Sequence, residues 1–170
     1  IAYVIMNNIY NPNNVWDFDT EKYRKVGEFE LSDEQMTAVK YLCKYNISIL
    51  NGAGGTGKSF STQAVINMLE DNGKRYELFS PTGKAAKVLS GFTGRRASTI
   101  HRGLGYNPRV GWAYNQGCKL CCDVVVVDEC SMVDVSLFSH LIDAIDFDST
   151  KLILIGDNAQ LPSVGCGNLF

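Results

Sequence analysis

Residues Gly52-Ala53-Gly54-Gly55-Thr56-Gly57-Lys58-Ser59 fit the spacing G-x-x-x-x-G-K-[ST]. Glycines at these positions accept backbone angles that a Cβ forbids, and they let amide N–H groups point at anionic oxygens. A helix that starts at the lysine adds its N-terminal partial positive charge at the same spot. The chemistry is phosphate binding: Lys58 reaches the β- and γ-phosphates of a nucleotide, and the Ser59 hydroxyl ligates Mg²⁺. With Phe60, these residues (Gly52, Ala53, Gly54, Gly55, Thr56, Gly57, Lys58, Ser59) form the candidate nucleotide-binding set. A second pair, Asp128-Glu129, directly follows four valines. Asp128 is placed to hold Mg²⁺, directly or through water, opposite Ser59. Glu129 is placed to orient or deprotonate an attacking water. The plainer readings are a glycine-rich turn and a polar turn after a strand.

Both sites need strands that end where the chemistry begins. Ile47, Ile49 and Leu50 lead into the glycine-rich loop, and a helix from Lys58 to Asp71 follows, stopped by Asn72-Gly73. Tyr76 to Ser80 reads as a strand. Pro81-Thr82-Gly83 turns into a helix over Lys84 to Leu89, ended by Ser90-Gly91, and a short helix is expected after Ser98 as N-cap. Val124 to Val127 is a β-branched run suited to a strand buried on both faces. A helix carrying Val135, Phe138, Leu141, Ile142 and Ile145 follows, then a strand over Leu152 to Ile155. Upstream, Ser32 caps a helix with Gln35 at its third position, as in a capping box, and Met36, Val39, Leu42 and Cys43 form its apolar face. Alternating strands and helices predict an α/β, doubly wound parallel sheet flanked by helices, with ligands at the carboxyl ends of its strands. Residues 1–30, broken by Asn7, Asn8, Asn11, Pro12, Asn13 and Asn14, read as loop, an N-terminal extension or linker before a domain over 31–170.

The chain has 170 residues, 45% hydrophobic and 20% charged, which suits one globular domain with a sizeable core. No apolar run approaches a membrane span, so no membrane partner is expected, and IAYVIM lacks the length and basic flank of a signal peptide. The absence of a first Met suggests a fragment or a processed chain. Six scattered cysteines point to a reducing, cytoplasmic compartment. Cys118 and Cys121 form a C-x-x-C without a clear second ligand pair, so free thiols are expected there over zinc. The net charge is −2, yet Leu78 to Cys122 holds no Asp or Glu and carries Lys84, Lys87, Arg95, Arg96, Arg102, Arg109 and Lys119. Such an interval fits either an anionic partner, nucleic acid above all, or a solvated basic face.

Five stretches occur in order: the phosphate loop, Ser80-Pro81-Thr82-Gly83-Lys84-Ala85-Ala86, Ser98-Thr99-Ile100-His101-Arg102, Asp128-Glu129-Cys130-Ser131-Met132-Val133, and Gly156-Asp157-Asn158-Ala159-Gln160-Leu161-Pro162-Ser163-Val164-Gly165. The series resembles the first, RecA-like motor domain of superfamily 1 DNA helicases of the RecD type. Leu31-Ser32-Asp33-Glu34-Gln35 resembles their adenine-recognition motif, so the likeness runs from about Leu31 to Phe170. Pif1-type helicases share much of the set; Gly105-Tyr106-Asn107-Pro108 and the LSDEQ start favour RecD. The resemblance implies ATP and Mg²⁺ as cofactors, single-stranded DNA as partner and 5′-to-3′ movement. It also implies a second RecA-like domain in the same parent chain, and company with other DNA-repair or recombination subunits. It gives Gln35 the adenine edge. It gives Pro81, Thr82, Gly83 and Lys84 a DNA phosphate, and His101 and Arg102 the strand. Gln160 senses the γ-phosphate. Each has a plainer alternative, for Gln35 and Thr82 as helix caps and for His101 as a packed helix residue. Cys130 stands where the family usually has Ala, and Cys166 interrupts the usual Gly-Ala-Gly-Asn; both are small changes expected to leave the chemistry intact.

The leading expectation is an ATP-driven DNA helicase motor, with Lys58, Asp128, Glu129 and Gln160 in catalysis. Without the arginine finger that the second domain supplies, worth about 10³–10⁵ in turnover in related enzymes, the chain is expected to bind Mg-ATP, hydrolyse it slowly and unwind nothing alone. The alternatives are a phosphate-loop ATPase or kinase that does not act on DNA, and a passive nucleotide-binding module.

Overall fold

The computed structural model describes residues 1–51 and 57–156. At its centre lies a five-stranded parallel sheet. Its strands are β3 (Ile47–Asn51), β4 (Tyr76–Ser80), β5 (Ala97–Thr99), β6 (Val124–Val127) and β7 (Lys151–Gly156), in the order β3-β7-β6-β4-β5. Registers such as Leu50 opposite Ile155, Val127 opposite Leu154 and Ser80 opposite Thr99 bring the strands' carboxyl ends to one edge. A separate antiparallel hairpin, β1 (Lys25–Val26) and β2 (Phe29–Glu30), precedes them and turns at Gly27.

Strand side chains alternate between two cores. Val125, Val127, Leu152 and Leu154 face one layer with Phe79 and the buried face of α6 (Val135–Asp143). Val124, Val126, Ile153 and Ile155 face the other, with α2 (Asp33–Lys44), α3 (Lys58–Asp71) and Leu89 of α4 (Gly83–Thr93). All four valines of β6 are fully buried. At about 1.5–3 kcal/mol for each buried branched side chain, this strand is a large part of the driving force for folding.

Helix α3 and strand β4 have the bounds expected from sequence, and Asn72 with Gly73 (φ 63°) ends α3. Three expectations shift. Helix α4 runs to Thr93 because Gly94, at φ 66°, supplies the left-handed cap that Ser90-Gly91 does not. Ser98 is not an N-cap: it lies in β5, paired to β4, and Thr99 caps α5 (Ile100–Gly103) by accepting from the Arg102 amide at 3.2 Å. Ile145 lies past α6 but is buried against it.

The N-terminal residues are not all loop. They form α1 (Ala2–Asn8), two short 3-10 turns (Pro12–Asn14 and Thr20–Tyr23) and the hairpin. The Trp16 amide donates to the Cys43 carbonyl, the Asn14 amide group to Asn46 Oδ1, and Lys22 pairs with Asp71 at 2.7 Å. Trp16, Phe18 and Val26 pack on the core under α2 and α3. Among the described residues no helix is long and apolar enough to cross a membrane.

Candidate nucleotide and nucleic-acid site

Gly57 ends the phosphate loop at φ 81°, and α3 starts at the next residue with Lys58, half-buried, and Ser59, exposed. Gly52 to Thr56 lie outside the described residues. Gln35, in the first turn of α2, reaches this spot. Its Oε1 accepts from the Ser32 amide at 2.8 Å, completing the capping box, while its Nε2 lies 2.7 Å from where a Cβ on Gly57 would stand. Gln35 therefore caps its helix and also presents its amide to the end of the phosphate loop. Phe60, in the first turn of α3, packs on Phe29 of the hairpin with ring centroids 4.0 Å apart and the rings tilted by 31°.

Asp128 continues β6, its amide donating to the Phe79 carbonyl at 2.9 Å. Its carboxyl titrates above the ordinary range, first because it is buried and second because the Glu129 charge is adjacent; the Lys58 ammonium offsets part of that rise. Glu129 is the one non-glycine residue with positive φ among those described, at 54°. Left-handed backbone at a glutamate costs energy and is retained where the surroundings fix it. The strained turn sends its side chain inward, where Oε2 is buried without a hydrogen-bond partner among the described residues, like the hydroxyls of Ser80 and Ser131. Gly156 closes the turn from behind: a Cβ there would stand 2.7 Å from the Cys130 sulfur. Burial pushes the Cys130 thiol up to about 12, so it is inert packing. Ser59, Asp128 and Glu129 offer only hard oxygen donors, and an unpaired buried carboxylate oxygen suits a hydrated Mg²⁺ bound with a phosphate.

The next strand end adds a different chemistry. Pro81 is half-buried; Thr82 caps α4, its hydroxyl accepting from the Ala85 amide at 3.2 Å; Gly83 and Lys84 are exposed. Thr82, Lys84, Ala85 and Val88 share one open cleft of about 270 Å³ with Asp128, Glu129 and Met132. The acidic pair and the α4 N-terminus are thus opposite walls of a single space. Val88 and Met132 went unnoticed in sequence, since isolated apolar residues on helices carry no signal of a cleft wall. One strand further out, Ser80 pairs with Thr99, and α5 follows with His101 and Arg102, both exposed; neither lines the Thr82 cleft, as His101 borders Trp112 and His140 and Arg102 borders Tyr76 and Glu77. The basic interval is not uniformly available: Arg95 is held by Glu70 and Lys119 donates to the Asp143 carbonyl. Asp157 and Gln160 lie outside the described residues. Cys118 and Cys121 are free and exposed, with Arg75 Nη1 3.3 Å from the Cys121 sulfur.

Comparison with known proteins agrees with this arrangement. A family model described as an AAA domain matches residues 35–166. The ATP-dependent RecD2 DNA helicase of Deinococcus radiodurans is 41% identical over 137 residues, covering 81% of this chain and 19% of that protein. The RecBCD enzyme subunit RecD of Haemophilus influenzae is 36% identical over 163 residues, covering 81% of this chain and 25% of that protein. The chain therefore spans about a fifth to a quarter of the length of these curated relatives. Among solved structures, Bacteroides Pif1 in complex with ADP-AlF4 superposes with a TM-score of 0.58 at 20% identity, over 81% of this chain and 34% of that one, a likeness of fold. Phosphate-loop sequence, half-buried acidic pair and matching relatives together make this chain a member of the AAA domain family, in its RecD-like superfamily 1 helicase branch.

Proposed function

We propose that the chain, from about Leu31 onward, is the ATP-hydrolysing motor domain of a DNA helicase, coupling nucleotide turnover to movement on single-stranded DNA. One observation carries this reading: Asp128 and Glu129 share a cleft with Thr82 and Lys84. The residues proposed for the γ-phosphate and those proposed for a nucleic-acid phosphate follow neighbouring strands, which would let the two ligands sense each other. The family membership supports the same reading.

In this proposal Gln35 meets the adenine edge while its other amide atom holds the helix cap. Gly57 and the α3 N-terminus direct amide dipoles at the phosphates, and Lys58 carries charge that develops on the γ-phosphoryl oxygens. Ser59 and Asp128 would hold Mg²⁺, which when bound neutralises β- and γ-phosphate charge. Glu129, aimed by its left-handed turn, accepts a hydrogen bond from the attacking water and takes its proton. Gln160 would follow the γ-phosphate. Thr82, Lys84, His101 and Arg102 would hold the strand, with a second RecA-like domain of the parent chain closing over the nucleotide.

Glu129→Gln in the parent protein tests the catalytic assignment. The expected result is undiminished binding of a fluorescent ATP analogue with turnover reduced about 10²–10⁴-fold. Turnover within a few-fold of the unaltered protein would remove Glu129 as the base and favour a passive nucleotide module.

A further inference from the structure

A second cluster lies beyond the cleft, where α5 meets α6. His101 stacks on Trp112 (5.4 Å, 29°), Trp112 stacks on His140 (4.5 Å, 27°), and Tyr106 leans on Trp112 (4.6 Å, 43°) with its edge toward His101 (5.6 Å, 72°). Trp112 spends its surface on three neighbouring rings and is half-buried, whereas Tyr106 is 45% exposed and His101 is exposed. Bridges from Asn107 to Gly111 and Asn115 to Cys118 fix the loop, and the Tyr106 amide donates to the His101 carbonyl at 2.8 Å. The result is a built aromatic surface with an outward face, bordering a cavity of about 280 Å³ whose walls include Asp134 and Ser136. A carboxylate there repels a phosphate, so the surface suits the other part of a nucleotide, its base. In sequence the platform lies on an interval without acids, from Leu78 to Cys122, that carries Arg102 and Arg109 on either side of Tyr106.

We propose that Tyr106, with His101 beside it, is a base-stacking platform for single-stranded nucleic acid, and that Trp112, braced by His140, positions it. This rests on the DNA reading above and adds to it a residue-level site for a base. Flat rings take any base by its π-face, so the site is tolerant of sequence. Bracing Trp112 on α6, whose N-cap Asp134 lies five residues past Glu129, also ties the platform to the element that follows the acidic pair.

The test compares a thymidine oligonucleotide with the same oligonucleotide carrying an abasic run, by fluorescence anisotropy on the parent protein at fixed salt. The unaltered protein should favour the intact strand about tenfold. Tyr106→Ala should abolish that preference while leaving the affinity for the abasic strand alone, and Tyr106→Phe should restore it. Equal weakening of both strands in Tyr106→Ala would show that the ring only supports the fold and would overturn the proposal. So would a tenfold preference that survives the substitution. Failure of the unaltered protein to bind either strand would overturn the DNA reading and this platform together, which separates the two failures.

Discussion

Glu129 occupies a backbone region that glutamate avoids, and Asp128 carries a half-buried, partly desolvated carboxyl beside it. These are costs, and in the proposed function bound Mg-ATP would offset them. The titration gives a test. A carboxyl whose folded value is raised binds its proton more tightly in the fold than in the unfolded chain. Its charge therefore destabilises the empty protein above the raised value, and the penalty vanishes as pH falls through the ordinary carboxylate range. Asp128→Asn should thus raise the thermal midpoint of the nucleotide-free protein at pH 7, by about 2–4 °C for about 1 kcal/mol, and lose that advantage near pH 3.5. A lowered midpoint at pH 7 would contradict this. The acidic pair was legible in sequence because it follows an unbroken valine run. The strain at Glu129 was not, since nothing in the letters Asp-Glu-Cys-Ser distinguishes a left-handed turn from an ordinary one. Lys58 and Ser59 were equally legible from glycine spacing, whereas the closeness of Gln35 to Gly57 depends on how α2 sits against α3.

At the scale of elements, the strand ends decide what meets what. Tyr76 to Ser80 and the valine run could be read directly because length, β-branching and flanking turns agree. Strand β5 could not: Ala97-Ser98-Thr99 has no apolar alternation, and only its pairing with Leu78 to Ser80 makes it a strand. That pairing matters, since it moves the cap of α5 to Thr99 and sets α5, with His101, at the carboxyl end of the edge strand. Gly103 makes the packing possible, as a Cβ there would run into the Phe79 ring. Gly103→Ala should cost about 1–3 kcal/mol, seen as a midpoint lower by roughly 2–12 °C. It should also weaken binding of single-stranded DNA, because α5 carries His101 and Arg102. An unchanged midpoint with normal binding would mean that α5 is not locked against β4 as described.

Across the whole molecule, the N-terminal residues show most clearly where sequence fell short. Their asparagines and lone proline read as loop, but Trp16 lies over the Lys151 ammonium at 4.7 Å, and that ammonium also donates to the carbonyls of Cys43 and Tyr45. Lys151 is 1% exposed, and burial pulls it down to about 8. Its proton is held less tightly in the fold than in the unfolded chain. Stability from this group therefore rises with pH between about 8 and the ordinary lysine value near 10.5. The difference in unfolding free energy between the unaltered protein and Lys151→Met should shift in favour of the unaltered protein across that window. A difference independent of pH would mean that Lys151 is charged in both states throughout. No periodicity could announce this contact, which joins residues 135 positions apart in sequence.

The joining of an ATP site to a nucleic-acid site is the central claim, and steady-state ATP hydrolysis by the parent protein, with and without single-stranded DNA, tests it most directly. Lys58→Ala serves as the blank. The account predicts strong stimulation by DNA that weakens as salt rises, because the strand is held largely through its phosphates. Robust turnover indifferent to DNA at every salt concentration would contradict it, and would leave the cleft shared by Glu129 and Thr82 as the site of a phosphate-loop enzyme with another substrate.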